Sequence, residues 1–440
     1  MPKVTFMGAG STVFAKNVLG DCIMMPEIRD LEIALYDIDP VRLEDSRMML
    51  ESISRNAGRE VSVRSFTDRK EALSGASYVV NAIQVGGYDP CTITDFEIPK
   101  KYGLRQTIAD TLGIGGIFRA LRTIPVLEEF AADMAEVCPD ALFINYTNPM
   151  AMLTGYLQRY TDIKTVGLCH SVQVCVPQLL KSLDMEDLAE EAKWEIAGIN
   201  HQAWLLRVED KNGNDLYPEI KKRAFDFLDG KAEYDAAGDK VRFEMMRQFG
   251  YYITESSEHN SEYTPWFIKS AYPELIDRYN IPLDEYPRRC IKQIEDWAKM
   301  REELVENREL KHEKSREFAA CIIESMENDH PYRVHGNVIN HGMIPNLPDN
   351  ACVEVPCLVD RAGIHPCYVG NLPEQCAAIN RTNINPQLLT IQAARSRRKE
   401  DLYMAAMLDP HTAAELPIDS IRQLCDELLE AHKGWMPEYT

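Results

Sequence analysis

No run of about 18 consecutive apolar residues occurs in this chain, so nothing in it reads as a membrane-spanning helix. Positive charge is in deficit: 48 Lys and Arg stand against 69 Asp and Glu, a formal net charge of −21. A surface this acidic repels phosphate backbones and anionic headgroups, so neither nucleic acid nor a membrane is an expected partner. The opening residues, Met1-Pro2-Lys3-Val4-Thr5-Phe6, lack the basic region, apolar stretch and small-residue site of a secretory signal, and a cytoplasmic location is expected. CxxC pairs are also absent. Twelve cysteines are scattered from Cys22 to Cys425, and the spacings Cys352/Cys357 and Cys367/Cys376 match no common metal pattern. In a reducing compartment most of them read as buried apolar residues. There is no internal repeat, low-complexity tract or long linker.

What is present is an alternation of strand and helix over the first 170 residues or so. Val4–Met7, Leu31–Tyr36, Glu60–Phe66, Tyr78–Ile83, Ala141–Asn145 and Thr165–Cys169 read as strands, with a helix over Val41–Ala57. Such alternation predicts a Rossmann-like, doubly wound parallel sheet of the α/β class. Beyond residue 195 the pattern changes to strands near Trp194–Ala197 and Trp204–Val208, and helices over Pro287–Leu304 and Ser315–Met326. A β-rich stretch follows at Tyr332–Cys357, then helices over Pro386–Met407 and Ile418–Ala431. The expected organisation is a dinucleotide-binding domain over 1–195 and a C-terminal α+β domain over 196–440, carrying substrate, metal and oligomer contacts, with the site between them.

Gly8-Ala9-Gly10-Ser11-Thr12-Val13 follows the first strand and opens a helix. Its glycines suit a tight turn and a close approach of backbone to a pyrophosphate, although Val13 replaces the usual third glycine. Asp37 ends the second strand, where a carboxylate binds a ribose 2′-hydroxyl and favours NAD over NADP. Asn148, in Asn145-Tyr146-Thr147-Asn148-Pro149, ends another strand and offers an amide at the ligand edge, though Asn-Pro turns are common without any ligand. Cys169 and His201 lie 32 residues apart, each near a strand end. A thiolate and an imidazole can share a divalent ion, but this spacing is no metal signature, and by pattern alone ordinary core residues are favoured. His170 suits proton transfer, or is a surface histidine. Ser256–Tyr263 is dense in proton donors and acceptors, or is an acidic loop; Tyr263 as a base would need a lowered pKa. Asp110–Thr123 reads as a Gly-rich helix entry with two arginines, Arg119 and Arg122, able to close over a ligand.

Together Phe6–Ser11, Phe118–Pro125, Tyr146–Pro149, Gly198-Ile199-Asn200-His201, Asn346–Pro348 and Val353–Pro356 make the chain resemble glycoside hydrolase family 4 over nearly its whole length. Cys169-His170-Ser171 and the Ser256–Trp266 segment resemble its α-galactosidase branch. The resemblance implies a lactate/malate dehydrogenase-like fold, bound NAD and Mn2+. It implies hydrolysis through C3 oxidation, C2 deprotonation, elimination, water addition and re-reduction, outside the two-carboxylate scheme of most glycosidases. It further implies Cys169 and His201 as metal ligands, Tyr263 as base, His170 as proton donor, and Asn148 as a substrate contact. Gly8, Gly10, Ser11, Thr12, Asp37 and Gln84 are the implied cofactor contacts. After Gly86-Gly87 the chain reads Tyr88-Asp89-Pro90, without the arginine of phosphosugar-specific relatives. That points to an unphosphorylated α-galactoside, with Asp89 repelling phosphate. The family resemblance also implies a homodimer or homotetramer. An α-galacturonidase or α-glucuronidase, with Arg288 or Arg289 clamping the uronate, is the near alternative. A plain hydroxy-acid dehydrogenase and a non-catalytic NAD-binding module are more distant ones.

Overall fold

The computed structural model describes residues 2–315 and 317–440. The strands are β1 (Lys3–Met7), β2 (Glu32–Tyr36), β3 (Ser62–Phe66), β4 (Tyr78–Asn81), β5 (Leu142–Asn145), β6 (Lys164–Gly167), β7 (Lys193–Ile199), β8 (Gln202–Glu209), β9 (Tyr252–Ile253), β10 (Tyr332–Ile339), β11 (Cys352–Asp360) and β12 (Gly363–Pro366). They form one sheet in the order β3-β2-β1-β4-β5-β6-β10-β11-β7-β8-β9, with β12 paired to β11. The first six run parallel. β1, β4 and β5 are buried along their whole length, as strands covered by helices on both faces must be. The order reverses between β1 and β4, and the crevice beyond their C-terminal ends is where ligands of such sheets sit.

The C-terminal half continues this sheet. β10 pairs antiparallel to β6 through Asn337 opposite Gly167, and β11 meets β7 through Glu354 opposite Gly198. That continuity brings His201, in the two-residue hairpin between β7 and β8, to the same edge as Cys169, two residues past β6.

Two expectations change. The segment Asp110–Thr123 is no flexible closure: its larger part opens a buried helix, Gly113–Val137. Within it Arg122 is fully buried and paired with Asp95 at 2.6 Å, so its guanidinium serves the core and no ligand. The helix expected from Pro386 begins earlier, at Glu374, and runs to Ser396 with Pro386 inside it. Pro386 suggested a helix start because it lacks an N–H, yet a long helix buried on most faces accommodates it. Arg397, at φ +58°, then breaks the chain before the next helix, Lys399–Leu408.

Candidate active site

The turn after β1 is tight because Gly8 and Ala9 both donate their N–H groups to the Tyr36 carbonyl, each at 3.0 Å. Gly8 sits at φ +89°, and a Cβ there would meet the Ala82 backbone at 2.9 Å. Gly10 donates its N–H to Asp37 Oδ2 at 2.6 Å, and a Cβ on Gly10 would lie 2.8 Å from that same oxygen. Both glycines are therefore fixed by close approach. Ser11, at the N-cap of the helix Thr12–Met24, makes no capping bond. The first-turn N–H groups thus lack side-chain acceptors and are suited to a pyrophosphate. The residues fit a dinucleotide on this evidence. Gln84, past β4, is exposed and accepts from Tyr286 at 3.4 Å. Asn81 and Asn145, buried at the ends of β4 and β5, bond each other at 2.9 Å, and Asn81 also reaches Thr147 at 3.1 Å. This network stiffens the turn carrying Asn148, which is partly buried.

Beyond β6, Cys169 Sγ lies 3.2 Å from His201 Nε2 and 3.2 Å from Ser171 Oγ. Glu255 Oε2 is 3.5 Å from the same His201 nitrogen. The three ligand atoms lie within 4.8 Å of one another, and this sulfur, nitrogen and oxygen set suits a divalent transition ion. His201 and Glu255 both hold left-handed backbones, φ +61° and +64°, strain that persists only where the surroundings impose it. Burial alone would lower the His201 pKa, but the neighbouring Cys169 sulfur and Glu255 carboxylate outweigh it and raise it to about 10. Burial likewise works against ionised Glu255, and the neighbouring imidazoles of His201, His259 and His170 reverse that, down to about 2. Among protein groups alone the His201 imidazolium thus balances the carboxylate of Glu255, a place a divalent cation could take once the imidazole gives up its proton.

The other side of His201 is also occupied. Thr111 Oγ1 is 3.1 Å from Nδ1 and the Tyr263 hydroxyl is 3.5 Å from it. His259 bonds Ser256 at 2.8 Å and stands 3.8 Å from Asp110. Tyr263 is fully buried, and burial followed by the carboxylates of Asp110 and Glu262 pushes its phenol well above the usual range. The lowered pKa expected of Tyr263 is therefore not supplied by protein groups. Glu262 accepts N–H bonds from Thr107 and Ala109, both at 2.8 Å, and from Ile108 at 3.3 Å, fixing the arch that presents Asp110 and Thr111.

A cleft of about 600 Å³ opens beside this cluster, lined by Asn17, His170, Gln178, Glu255, Lys314 and Glu317 among others. His170 is exposed at its rim, and burial of its surroundings lowers its pKa. Asp89 is exposed and does not line the cleft; carboxylates of Glu255, Glu313 and Glu317 do. Nor do Arg288 and Arg289, which are held by Glu285, and Arg289 also by Glu258. Among the described residues the cleft's cations are Lys314 and Arg242, the latter paired with Asp239.

Only the family resemblance joins Cys169 to His201 in the sequence; Asp110 and Thr111 open the Asp110–Thr123 segment without a role in that pair, and none of the motifs contains Glu255. Glu255 directly precedes the polar segment Ser256–Tyr263, which is the signal that could have found it.

The model described as family 4 glycosyl hydrolase matches residues 3–185, and the model for the family 4 glycosyl hydrolase C-terminal domain matches 196–412. An alpha-galactosidase of Bacillus subtilis (strain 168) is 61% identical over 439 residues, spanning 100% of both chains. An alpha-galactosidase of Rhizobium meliloti (strain 1021) is 35% identical, covering 99% of this chain and 89% of that protein. The solved structure of a 6-phospho-alpha-glucosidase from gut microorganisms, in complex with NAD and Mn2+, is similar over 100% of both chains, with a TM-score of 0.82 at 22% identity. A malate dehydrogenase from Plasmodium falciparum shares the fold over 90% of this chain and 99% of its own, with a TM-score of 0.54 at 14% identity.

Proposed function

The chain belongs to family 4 of the glycosyl hydrolases, and from that premise we propose that it hydrolyses terminal, unphosphorylated α-galactosides with NAD and manganese as resident cofactors. The observation that carries the reading is the Cys169–His201–Glu255 cluster beside a dinucleotide crevice, since simple dehydrogenation needs no such thiolate. When bound, NAD+ supplies a hydride acceptor that returns its hydride within the cycle, and Mn2+ supplies Lewis-acid polarisation of the sugar oxygen next to it.

Cys169, His201 and Glu255 would hold the ion, and Thr111 would orient the His201 ring from its far nitrogen. The uncapped turn Gly8–Thr12 would hold the pyrophosphate and Asp37 the ribose, with Gln84 a further cofactor contact. Asn148 contacts sugar hydroxyls. Tyr263, whose hydroxyl lies 3.5 Å from His201, would take the C2 proton once a cation held there draws its pKa down, and His170, on the cleft, would protonate the departing glycosidic oxygen. Glu313 and Glu317 disfavour a phosphate in the cleft. All twelve cysteines are free, which accords with a reducing, cytoplasmic setting, and no helix among the described residues is long and apolar enough to cross a membrane. On family resemblance the assembly is a homodimer or homotetramer.

The test offers nitrophenyl α-galactoside, α-galacturonide and 6-phospho-α-galactoside to protein with and without NAD+ and Mn2+. Release of nitrophenol from the galactoside, dependent on both and without accumulating NADH, is expected. Hydrolysis surviving removal of both would overturn the mechanism, and preference for the uronide would transfer the assignment to a galacturonidase.

A further inference from the structure

The helix Glu285–Arg301 is 17 residues long and buries none of them, yet it is anchored at both ends. At its start Asp284 and Tyr286 donate backbone N–H groups to Gln106 and Thr107, at 2.9 and 3.1 Å. The Tyr286 ring lies 5.8 Å from the Arg119 guanidinium, and its hydroxyl reaches Gln84. At its other end Trp297 lies 5.9 Å from the Arg42 guanidinium, and Arg301 pairs with buried Asp45 at 2.9 Å. Gln84 follows β4, whereas Arg42 and Asp45 belong to the helix Pro40–Asn56 that begins three residues after Asp37. The two anchors thus stand on opposite sides of the Gly8–Thr12 turn. From Tyr286 to Arg301 the helix spans roughly 22 Å, at 1.5 Å per residue.

Tyr286, Cys290, Ile294, Trp297 and Arg301 recur at helical spacing on the anchored side. The ends of this stripe are engaged, but in its middle Ile294 is 62% exposed. At the Asp37 end, Ile38 and Val41 are 88% and 68% exposed. Apolar side chains left open on both a bridging helix and the crevice edge below it call for an apolar, planar occupant.

We propose that Glu285–Arg301 is a strap over the bound dinucleotide, and that Ile294 and Trp297, with Ile38 and Val41, form the contact for its adenosine half. The inference rests on the NAD reading above. It also meets a requirement of that reading, because a cofactor that is oxidised and reduced within one turnover has to be retained.

The test uses the full-length protein and binding alone. Alkylation of Cys290, followed by peptide mass spectrometry with exposed Cys367 as internal control, is expected to slow about tenfold or more in saturating NAD+. By calorimetry, Ile294→Glu is expected to weaken NAD+ and ADP-ribose about tenfold, a loss of about 1.4 kcal/mol, and to leave nicotinamide mononucleotide and the cofactor-free melting temperature unchanged. If the wild type binds NAD+ but Cys290 reacts at the same rate and the variant binds equally well, the strap is overturned and the cofactor reading stands. If the wild type binds no NAD+, both fail. A change in oligomeric mass in Ile294→Glu with unaltered NAD+ affinity would assign the face to a second copy of this chain and overturn the proposal.

Discussion

Single side chains decide whether this sheet edge holds a metal. Cys169→Ser replaces the thiolate by a weaker donor, and we expect Mn2+ affinity to fall at least about 100-fold, measured by calorimetry, with little change in fold. Thr111→Val touches no ligand atom but removes the 3.1 Å contact to His201 Nδ1. A loss of about 10- to 100-fold in affinity is expected there; unchanged affinity would show that the His201 ring is oriented by other groups. Glu354 gives a separate pH signature. Buried in the sheet, with Asn200 and Asn337 donating to one oxygen and nothing to the other, it is pushed by burial up to about 7 from an ordinary 4.5. The folded state therefore binds the extra proton. The stability this group contributes is complete below about pH 4.5 and is lost as the pH rises through 7. Glu354→Gln mimics the protonated acid, so it is expected to stabilise the protein at pH 8 by up to about 3 kcal/mol and to change little near pH 4.5. Denaturation at the two pH values checks this. At this scale the sequence was only partly legible. Cys169 and His201 became a pair through resemblance, whereas Glu255 joins them because of a left-handed backbone that no residue pattern announces.

Among elements, the arch Thr107–Ala109 depends on a carboxylate from a distant helix. Burial pushes Glu262 up to about 7, while the N–H bonds of Thr107 and Ala109 pull it back, and above that pH three backbone donors meet an anion. Glu262→Gln aims an amide donor at those N–H groups. A cost of about 2–3 kcal/mol is expected, with weakened Mn2+ binding because Thr111 is carried by the same arch. Denaturant melts and metal titrations of the variant measure both, and unchanged values would place the arch's support elsewhere. Elements were read well where period and flanks agreed, as at Val4–Met7 and Ile418–Ala431. They were read poorly where tertiary burial overrode a local signal, as at Pro386 inside a helix, whereas the Gly-rich helix entry expected in Asp110–Thr123 does open the helix Gly113–Val137. The strap helix was legible as a helix. Its role was not, because anchoring at both ends is a property of the fold.

At the scale of the whole molecule the two expected halves share one sheet, joined where β6 meets β10. We accordingly expect a single cooperative thermal transition for the cofactor-free protein by calorimetry; two separated transitions would mean that the halves fold independently. The strand-helix alternation made the parallel half legible, but the antiparallel extension needed pairings between residues as far apart as Gly167 and Asn337. That extension places Cys169, His201 and Glu255 beside the crevice after β1 and β4, and the central claim is that a metal and a dinucleotide held there run a hydrolysis through a sugar ketone. The most direct test is turnover of an α-galactoside in D2O with NAD+ and Mn2+, with the released galactose examined by NMR. The account predicts deuterium from solvent at C2. Galactose carrying only protium at C2, formed at full rate, would contradict it.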